Sequence, residues 1–274
     1  MAEAVSASTD DFDDEIITPS DEKEKIVSSG NTEIDRKLGG GIPVGSLTMI
    51  EGDNDTGKSV LVQQIMWGVL NQGHKVVCYT TENTIKSLLN QMESLALDIS
   101  DFFMFGNLKI YPIHTEGLEW DSQETENLLQ AILDSIKHNP QNVIIIDSLT
   151  VFVTHSSENA ILDFFSRCKN LCDQGKTIII TGHRYAFNAE TLIRIMSICD
   201  GHIELVIKEV GEKLLKTMKV SKMRGAQLST GNIVSFDVIP GFGLRIIPIC
   251  AANVLTRFLF SRPTGATSAL KPET

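Results

Sequence analysis

The octapeptide Gly52-Asp53-Asn54-Asp55-Thr56-Gly57-Lys58-Ser59 constrains this chain more than any other feature. It has the spacing G-x-x-x-x-G-K-[ST], and both of its flanks suit that pattern. Ser46–Glu51 reads as a short buried strand, and the run from Ser59 to Trp67 as the helix it feeds. The glycines let the backbone wrap so that successive N–H groups, through Val60, face a phosphate chain. The Lys58 ammonium can reach the outer phosphates, Ser59 Oγ can ligate Mg²⁺, and the helix N-terminus adds partial positive charge. The plain alternative is a glycine-rich turn with an accidental Lys-Ser.

A chain of 274 residues with 42% hydrophobic content can bury one sizeable core. The formal charge of −11 is unevenly placed: residues 1–25 hold nine acids against two lysines, a local −7, which leaves −4 for the rest. That leader is expected to be disordered, because it has too little apolar area to offset its ordering entropy. It has neither a basic start nor a long apolar stretch, so it does not read as a signal peptide. Leu244 to Phe260 is interrupted by Arg245, Pro248, Asn253 and Arg257 and falls short of a membrane span. Five cysteines (78, 168, 172, 199, 250) argue against a disulfide framework and for a reducing, cytoplasmic compartment. Cys168 and Cys172 lie four apart on an expected helix, but no further ligands complete a metal site, so core packing is expected.

Apolar, β-branched runs at Leu47–Glu51, Val76–Thr80, Leu108–Pro112, Val143–Asp147 and Thr177–Thr181 alternate with helical patterns at Lys58–Leu70, Ile85–Leu97, Glu124–His138 and Ala160–Asp173. Strands hydrophobic throughout and separated by helices predict an α/β fold with a parallel sheet covered on both faces. Beyond residue 200, His202–Glu209, Leu214–Val220, Ile233–Ile239 and Leu244–Ile247 are divided by short turns and predict antiparallel hairpins extending that sheet. The expected organisation is a leader (1–25), one nucleotide-binding domain (26–250) and a tail (251–274). A single phosphate loop and no visible repeat argue against two tandem lobes.

Four further places carry candidate chemistry. Asp147 ends an apolar strand, where it could hold Mg²⁺ through its water shell with Ser148 assisting; alternatively it merely caps the strand. Glu82 follows the second strand and could orient or deprotonate an attacking water, or simply open a helix whose dipole favours an acid. His183 closes another strand and could sense the terminal phosphate, or be a turn residue. Lys222 and Arg224, in Lys222-Met223-Arg224-Gly225, read as a loop between hairpins. Two cations at i, i+2 could grip one anion, and a neighbouring subunit's phosphate is a more accessible target than their own.

Taken together, Thr32 to Ser46 with its Gly39-Gly40-Gly41-Ile42-Pro43-Val44-Gly45 turn, the phosphate loop and Lys222 to Gly225 resemble the KaiC branch of the RecA-like ATPases. The resemblance runs from about residue 26 to 248. Within that branch, the ending Phe236 to Ile249 is similar to the accessory ATP-binding proteins of the archaeal flagellar (archaellum) motor. The resemblance implies a RecA-like three-layer α/β/α fold that binds ATP and Mg²⁺. It also implies a cytoplasmic, ring-forming protein at the cytoplasmic face of the motility machine. Its partners would be the motor ATPase FlaI, a scaffold ring and the membrane platform protein, with no nucleic acid. The Lys222 and Arg224 cations become trans-acting fingers in that reading.

Two departures from the family pattern bear on turnover. Relatives carry two adjacent glutamates after the second strand, whereas here the pair is Glu82-Asn83, and Asn cannot act as a base. Asp53 and Asp55 bring carboxylates close to a triphosphate. Both features favour a nucleotide switch over a fast engine. A RecA-type DNA repair or recombination ATPase would need basic, mobile loops, yet the body is at −4 and loop 184–195 holds only Arg184 and Arg194. A KaiC-like autokinase stays open, since phosphate acceptors are too common to single out. Thr115–Asp121, with Trp120, is either a partner contact or an ordinary surface loop.

Overall fold

A computed structural model describes residues 25–113, 122–211, 213–230 and 233–247. The acidic leader up to residue 24, the Thr115–Asp121 segment, Glu212, Cys250 and the tail 251–274 therefore lie outside the described residues.

Nine strands form the main sheet. In chain order they are β3 (Leu47–Gly52), β4 (Val76–Thr80), β5 (Leu108–Pro112), β6 (Val143–Asp147), β7 (Thr177–His183), β8 (Gly201–Val210), β9 (Lys213–Met223), β10 (Ile233–Ile239) and β11 (Gly243–Ile247), and across the sheet they run β11-β10-β9-β8-β3-β7-β6-β4-β5. The short β1 (Ile26–Val27) and β2 (Ile42–Pro43) pair separately. Strands β8, β3, β7, β6, β4 and β5 are parallel, and β9, β10 and β11 add antiparallel pairs. The central parallel strands β3, β4, β6 and β7 are buried almost throughout, as expected for a sheet with helices above and below, whereas β5 and β8 are only partly buried. One expectation needs correcting. The strand at residue 201 is not only the first arm of a hairpin: it lies parallel to β3 and joins the parallel core to the antiparallel extension.

Alternation along each strand divides the core. Ile50, Val143, Ile145 and Ile179 face one side, where Leu61, Ile65 and Val69 of α2 (Lys58–Asn71) and Leu88 and Met92 of α3 (Ile85–Ser94) pack with Ile34 of α1 (Thr32–Lys37). Met49, Ile144, Ile146 and Ile180 face the other side. That side is covered by α5 (Ser122–His138), α6 (Thr150–His155), α7 (Glu158–Asp173) and α8 (Ala189–Ile198); α4 (Ser100–Met104) is a single turn before β5. Cys78, Cys168, Cys172 and Cys199 are buried thiols. Burial pushes the Cys172 thiol up to about 12, so these side chains act as apolar filling.

The stretch 184–195, expected to be a loop, is ordered. A 3₁₀ turn at Arg184–Ala186 leads to α8, whose N-cap Asn188 accepts a hydrogen bond from Thr191 N at 2.8 Å. The Asn-x-x-Thr cap followed by Leu192, Ile195 and Met196 at helical spacing supplies the physical reason.

Candidate nucleotide site

The site is built where three neighbouring parallel strands end. β3 ends at Gly52, and a side chain there has no room, since an added Cβ would lie 2.5 Å from Leu205 O and 2.7 Å from Thr56 Oγ1. The loop turns through Asp55 (φ 59°) and Gly57 (φ 94°) into α2. Asp53, Asn54 and Asp55 are exposed, and Asn54 and Asp55 also line the cavity over the loop. Thr56 Oγ1 donates to Asp53 O at 2.8 Å and closes the turn from within. Gly57 is the N-cap of α2 and offers no side-chain acceptor, and the first helical turn carries no acid. The orphan N–H groups and the positive end of the helix are thus left for an anion.

Lys58 is folded back over this cradle, its ammonium donating to Gly52 O at 3.0 Å and Asp53 O at 2.7 Å. Burial lowers its pKa, while Glu82, Asp147, Asp53 and Asp55 oppose that shift. A phosphate oxygen would displace those carbonyls with a stronger charge-assisted contact. Ser59 Oγ donates to Asp147 Oδ1 at 3.3 Å, and Thr181 Oγ1 donates to the same oxygen at 2.6 Å. Burial raises Asp147 to about 6 against the hydrogen bonds of Thr181 and Ser59 and the charge of Lys58, with Glu82 adding to the rise. A hydroxyl beside a buried carboxylate is a donor set that fits Mg²⁺. Ser148, read as an assistant, instead spends its hydroxyl on Thr150 Oγ1 at 3.1 Å.

A cavity of about 330 Å³ opens over the loop and brings together Gly57, Lys58, Ser59, Glu82 and His183. Glu82 is exposed and lies before the helix rather than in its first turn, since α3 is capped by Thr84. Asn83 Oδ1 accepts from Ser87 Oγ at 3.1 Å. His183 Nδ1 lies 2.9 Å from Thr150 Oγ1, and its ring stacks on Tyr185 with centroids 5.3 Å apart. Burial, helped by Lys58, lowers the His183 pKa, which favours the neutral ring.

The sequence reading missed Lys216. It is half-buried on β9, lines the same cavity, and its Cδ lies 4.0 Å from the position a Cβ on Gly57 would take. Its cross-strand partner Phe236 packs its ring against Gly57. Only the register of β9 brings Lys216 here.

The Lys222-to-Gly225 stretch is only partly a loop: Lys222 and Met223 are the last residues of β9. A β-bulge there sets Lys222 opposite His202 and Val220 opposite Ile203. The Lys222 ammonium donates to Met196 O (2.8 Å) and Cys199 O (2.5 Å) at the end of α8, while Arg224 is exposed. Both lie at the start of β8, at the opposite end of the sheet from Gly52.

This strand order and loop invite comparison with known proteins. A family model described as "ATPase: KaiC" matches residues 27–250. The archaeal flagellar ATP-binding protein FlaH of Sulfolobus acidocaldarius is 36% identical over 224 residues, 82% of this chain and 97% of that one. The chain belongs to the KaiC ATPases, in their FlaH group. The crystal structure of the flagellar accessory protein FlaH from Methanocaldococcus jannaschii superposes with a TM-score of 0.72 at 26% identity, covering 82% of this chain and 99% of that one. A KaiC-like protein from Pyrococcus horikoshii shares the fold, with a TM-score of 0.66 at 23% identity, covering 81% of this chain and 99% of that one. The RecA-like architecture with a mostly parallel sheet and an antiparallel C-terminal extension is thus common to the FlaH and KaiC groups. Among the described residues, no helix is long and apolar enough to cross a membrane.

Proposed function

We propose that this FlaH-group chain is an ATP-binding switch subunit of the archaellum motor, turning nucleotide over slowly or not at all. The observation that carries the reading is the contrast within one cavity. An uncapped helix N-terminus, Lys58 and the Ser59–Asp147 pair make an anion and Mg²⁺ cradle. Its acid at the second strand's end, Glu82, has beside it an Asn engaged with Ser87 rather than a second carboxylate. Binding is thereby favoured over general-base chemistry. The printed name of the Sulfolobus relative, an archaeal flagellar ATP-binding protein, supports both ATP and the setting.

In this reading the backbone N–H groups of residues 55–60 and the Lys58 ammonium bind the phosphates. Ser59 and Asp147 hold Mg²⁺, which supplies charge neutralisation at the outer phosphates. His183, neutral and pinned by Thr150, reports on the terminal phosphate to the start of α6. Arg224, exposed at the far end of the sheet, acts on the nucleotide of a neighbouring copy, with Lys222 fixing α8 beside it. Residues 26–250 form one folded unit at the cytoplasmic face of the machine. Its partners are a ring of copies, the motor ATPase FlaI, the scaffold ring and the membrane platform protein. ATP shifts assembly only by its differential affinity for the free and assembled states.

The test is ATP binding, turnover and particle size on purified wild type, Lys58→Ala and Glu82→Gln. Tight Mg-ATP binding lost in Lys58→Ala, turnover far below ~1 s⁻¹ and assembly that follows ATP are expected. Many turnovers per second by the isolated protein, abolished by Glu82→Gln, would sink the switch reading.

A further inference from the structure

The parallel strands begin along one edge of the sheet, at the end opposite the nucleotide cavity. Backbone bonds align the residues just before them: Val76 N donates to Asn107 O at 2.8 Å, Val143 N to Lys75 O at 3.2 Å and Thr177 N to Asn142 O at 2.8 Å. Four lysines gather on this end. Lys75, just before β4, is exposed, as is Lys137 in the last turn of α5. Lys109 on β5 donates to Asn139 Oδ1 at 3.2 Å, and Lys176, just before β7, donates to Asn139 O at 2.6 Å and Gln141 O at 2.8 Å. These contacts are to neutral oxygens, and among the described residues none of the four lysines is paired with a carboxylate. Of the exposed acids nearby, Asp134 accepts from Gln130 and Asp173 pairs with Lys169, while Asp101 opens α4.

An apolar spot adjoins the lysines. Met104 ends α4 and Phe105 is its C-cap, and they are 70% and 77% exposed, whereas Phe102 and Phe103 pack against the core. Phe105 lies two residues before Asn107, whose carbonyl receives the N–H of the residue after Lys75. Two large apolar side chains thus stand in solvent beside positive charge that no acid offsets. That combination fits an acidic segment carrying a large apolar residue.

The chain itself carries such a segment. Asp10-Asp11-Phe12-Asp13-Asp14-Glu15 sets five acids around one phenylalanine, with Ile16 and Ile17 following. The leader also joins the body at this end: Lys25 O accepts from Val44 N at 2.9 Å, and the next residue, Gly45, donates its N–H to Thr177 Oγ1 at 3.0 Å. From β3 to β5 is four strand spacings, about 19 Å. The stretch from Phe12 to Lys25 reaches about 40 Å when extended, so the tether is long enough.

We propose that the acidic leader docks on this end of its own chain, with the carboxylates of residues 10–15 over Lys75 and Lys137 and Phe12 against Met104 and Phe105. Lys109 and Lys176 add to the attracting field from behind. The leader has too little apolar area to build a core of its own, but docking asks less of it because the body supplies the apolar surface. The tether gives it an effective concentration on the order of millimolar, so a weak contact holds it in place and an acidic partner from solution must displace it.

The experiment is limited lysine acetylation of the full chain, read residue by residue by mass spectrometry. Wild type is compared with a full-length variant carrying Asp→Asn at 10, 11, 13 and 14 and Glu15→Gln. Lys75 and Lys137 should react at least about threefold faster in the variant, as for a leader docked about two-thirds of the time in wild type. Lys86 and Lys213, at the other end of the sheet, should be unchanged. Salt at about 0.5 M should release Lys75 and Lys137 in wild type. Phe12→Ser and Phe105→Ser should each speed Lys75, and together should add little beyond either alone. Carbodiimide coupling in a mixture of light and ¹⁵N-labelled chains should join leader carboxylates to Lys75 or Lys137 within one isotopic form. Couplings between forms would overturn the proposal by giving the leader to a neighbouring copy. Equal reactivity of Lys75 and Lys137 in wild type and variant would overturn it too, and slowing of both lysines by added polyglutamate would then assign the patch to an outside acidic partner.

Discussion

Thr181 donates its hydroxyl hydrogen to Asp147 Oδ1 at 2.6 Å across neighbouring strands β7 and β6. That bond holds a buried carboxylate where water cannot solvate it, and burial raises its pKa from 3.8 to about 6. The folded chain therefore keeps a proton that the unfolded chain releases. Stability of the nucleotide-free protein should fall as pH rises from roughly 4 to 6, by up to about 3 kcal/mol from this group. Asp147→Asn should flatten that pH dependence and raise the neutral-pH midpoint of the empty protein, while removing the stabilisation by Mg-ATP. Denaturant melts of both proteins between pH 4 and 7.5 check it.

Lys216 places a second cation over Gly57 while Lys58 is engaged with the loop carbonyls. Lys216→Ala should weaken ATP binding by about tenfold, roughly 1.4 kcal/mol. The loss should shrink as salt screens the half-exposed charge. Calorimetric titrations at two ionic strengths give the answer. An unchanged affinity would remove Lys216 from the site.

Gly68 sits inside α2, where Ala would be favoured by about 1 kcal/mol on propensity alone. Its added Cβ, however, would lie 2.1 Å from Ser29 C and 2.3 Å from Gly30 N, both backbone atoms that cannot step aside cheaply. The clash wins: Gly68→Ala should destabilise by about 2 kcal/mol or more. Thermal melting reads this directly.

The two cations of the Lys222–Gly225 stretch should separate cleanly. Lys222→Met strips the last carbonyls of α8 of their donor and should cost about 1–3 kcal/mol of stability. Arg224→Ala, at an exposed position, should change stability by less than about 0.5 kcal/mol. Its effect should appear instead in nucleotide-dependent assembly, followed by sedimentation.

The sequence made the phosphate loop and the parallel strands legible because each rests on local information. The loop has fixed spacing, and Val143–Ile146 or Ile178–Ile180 are apolar on both faces whatever they pair with. Glu82, His183 and Asp147 could be nominated for the same reason, as each ends such a strand. What stayed hidden depends on register. Nothing near Lys216 marks it as facing Gly57, and Thr181 reads as a strand residue until β7 lies beside β6. The direction of β8 was also hidden, because a strand followed by a tight turn looks like a hairpin arm even when its other neighbour runs parallel. The i, i+2 spacing of Lys222 and Arg224 suggested two equivalent cations. The bulge and the nearby end of α8 divide them into one anchored group and one free.

Strand β9 joins Lys216 at the nucleotide cavity to Lys222 at the far end of the sheet, six residues or about 20 Å away. β8 pairs with it along the whole span, whereas β10 pairs with it only from Lys216 to Lys219. A bulge at Ser221 then slips the register by a residue. Beyond that point lie Lys222, the end of α8 and Arg224. The slip therefore turns Lys222 away from the face that Lys216, Met218 and Val220 share and towards the face where α8 lies.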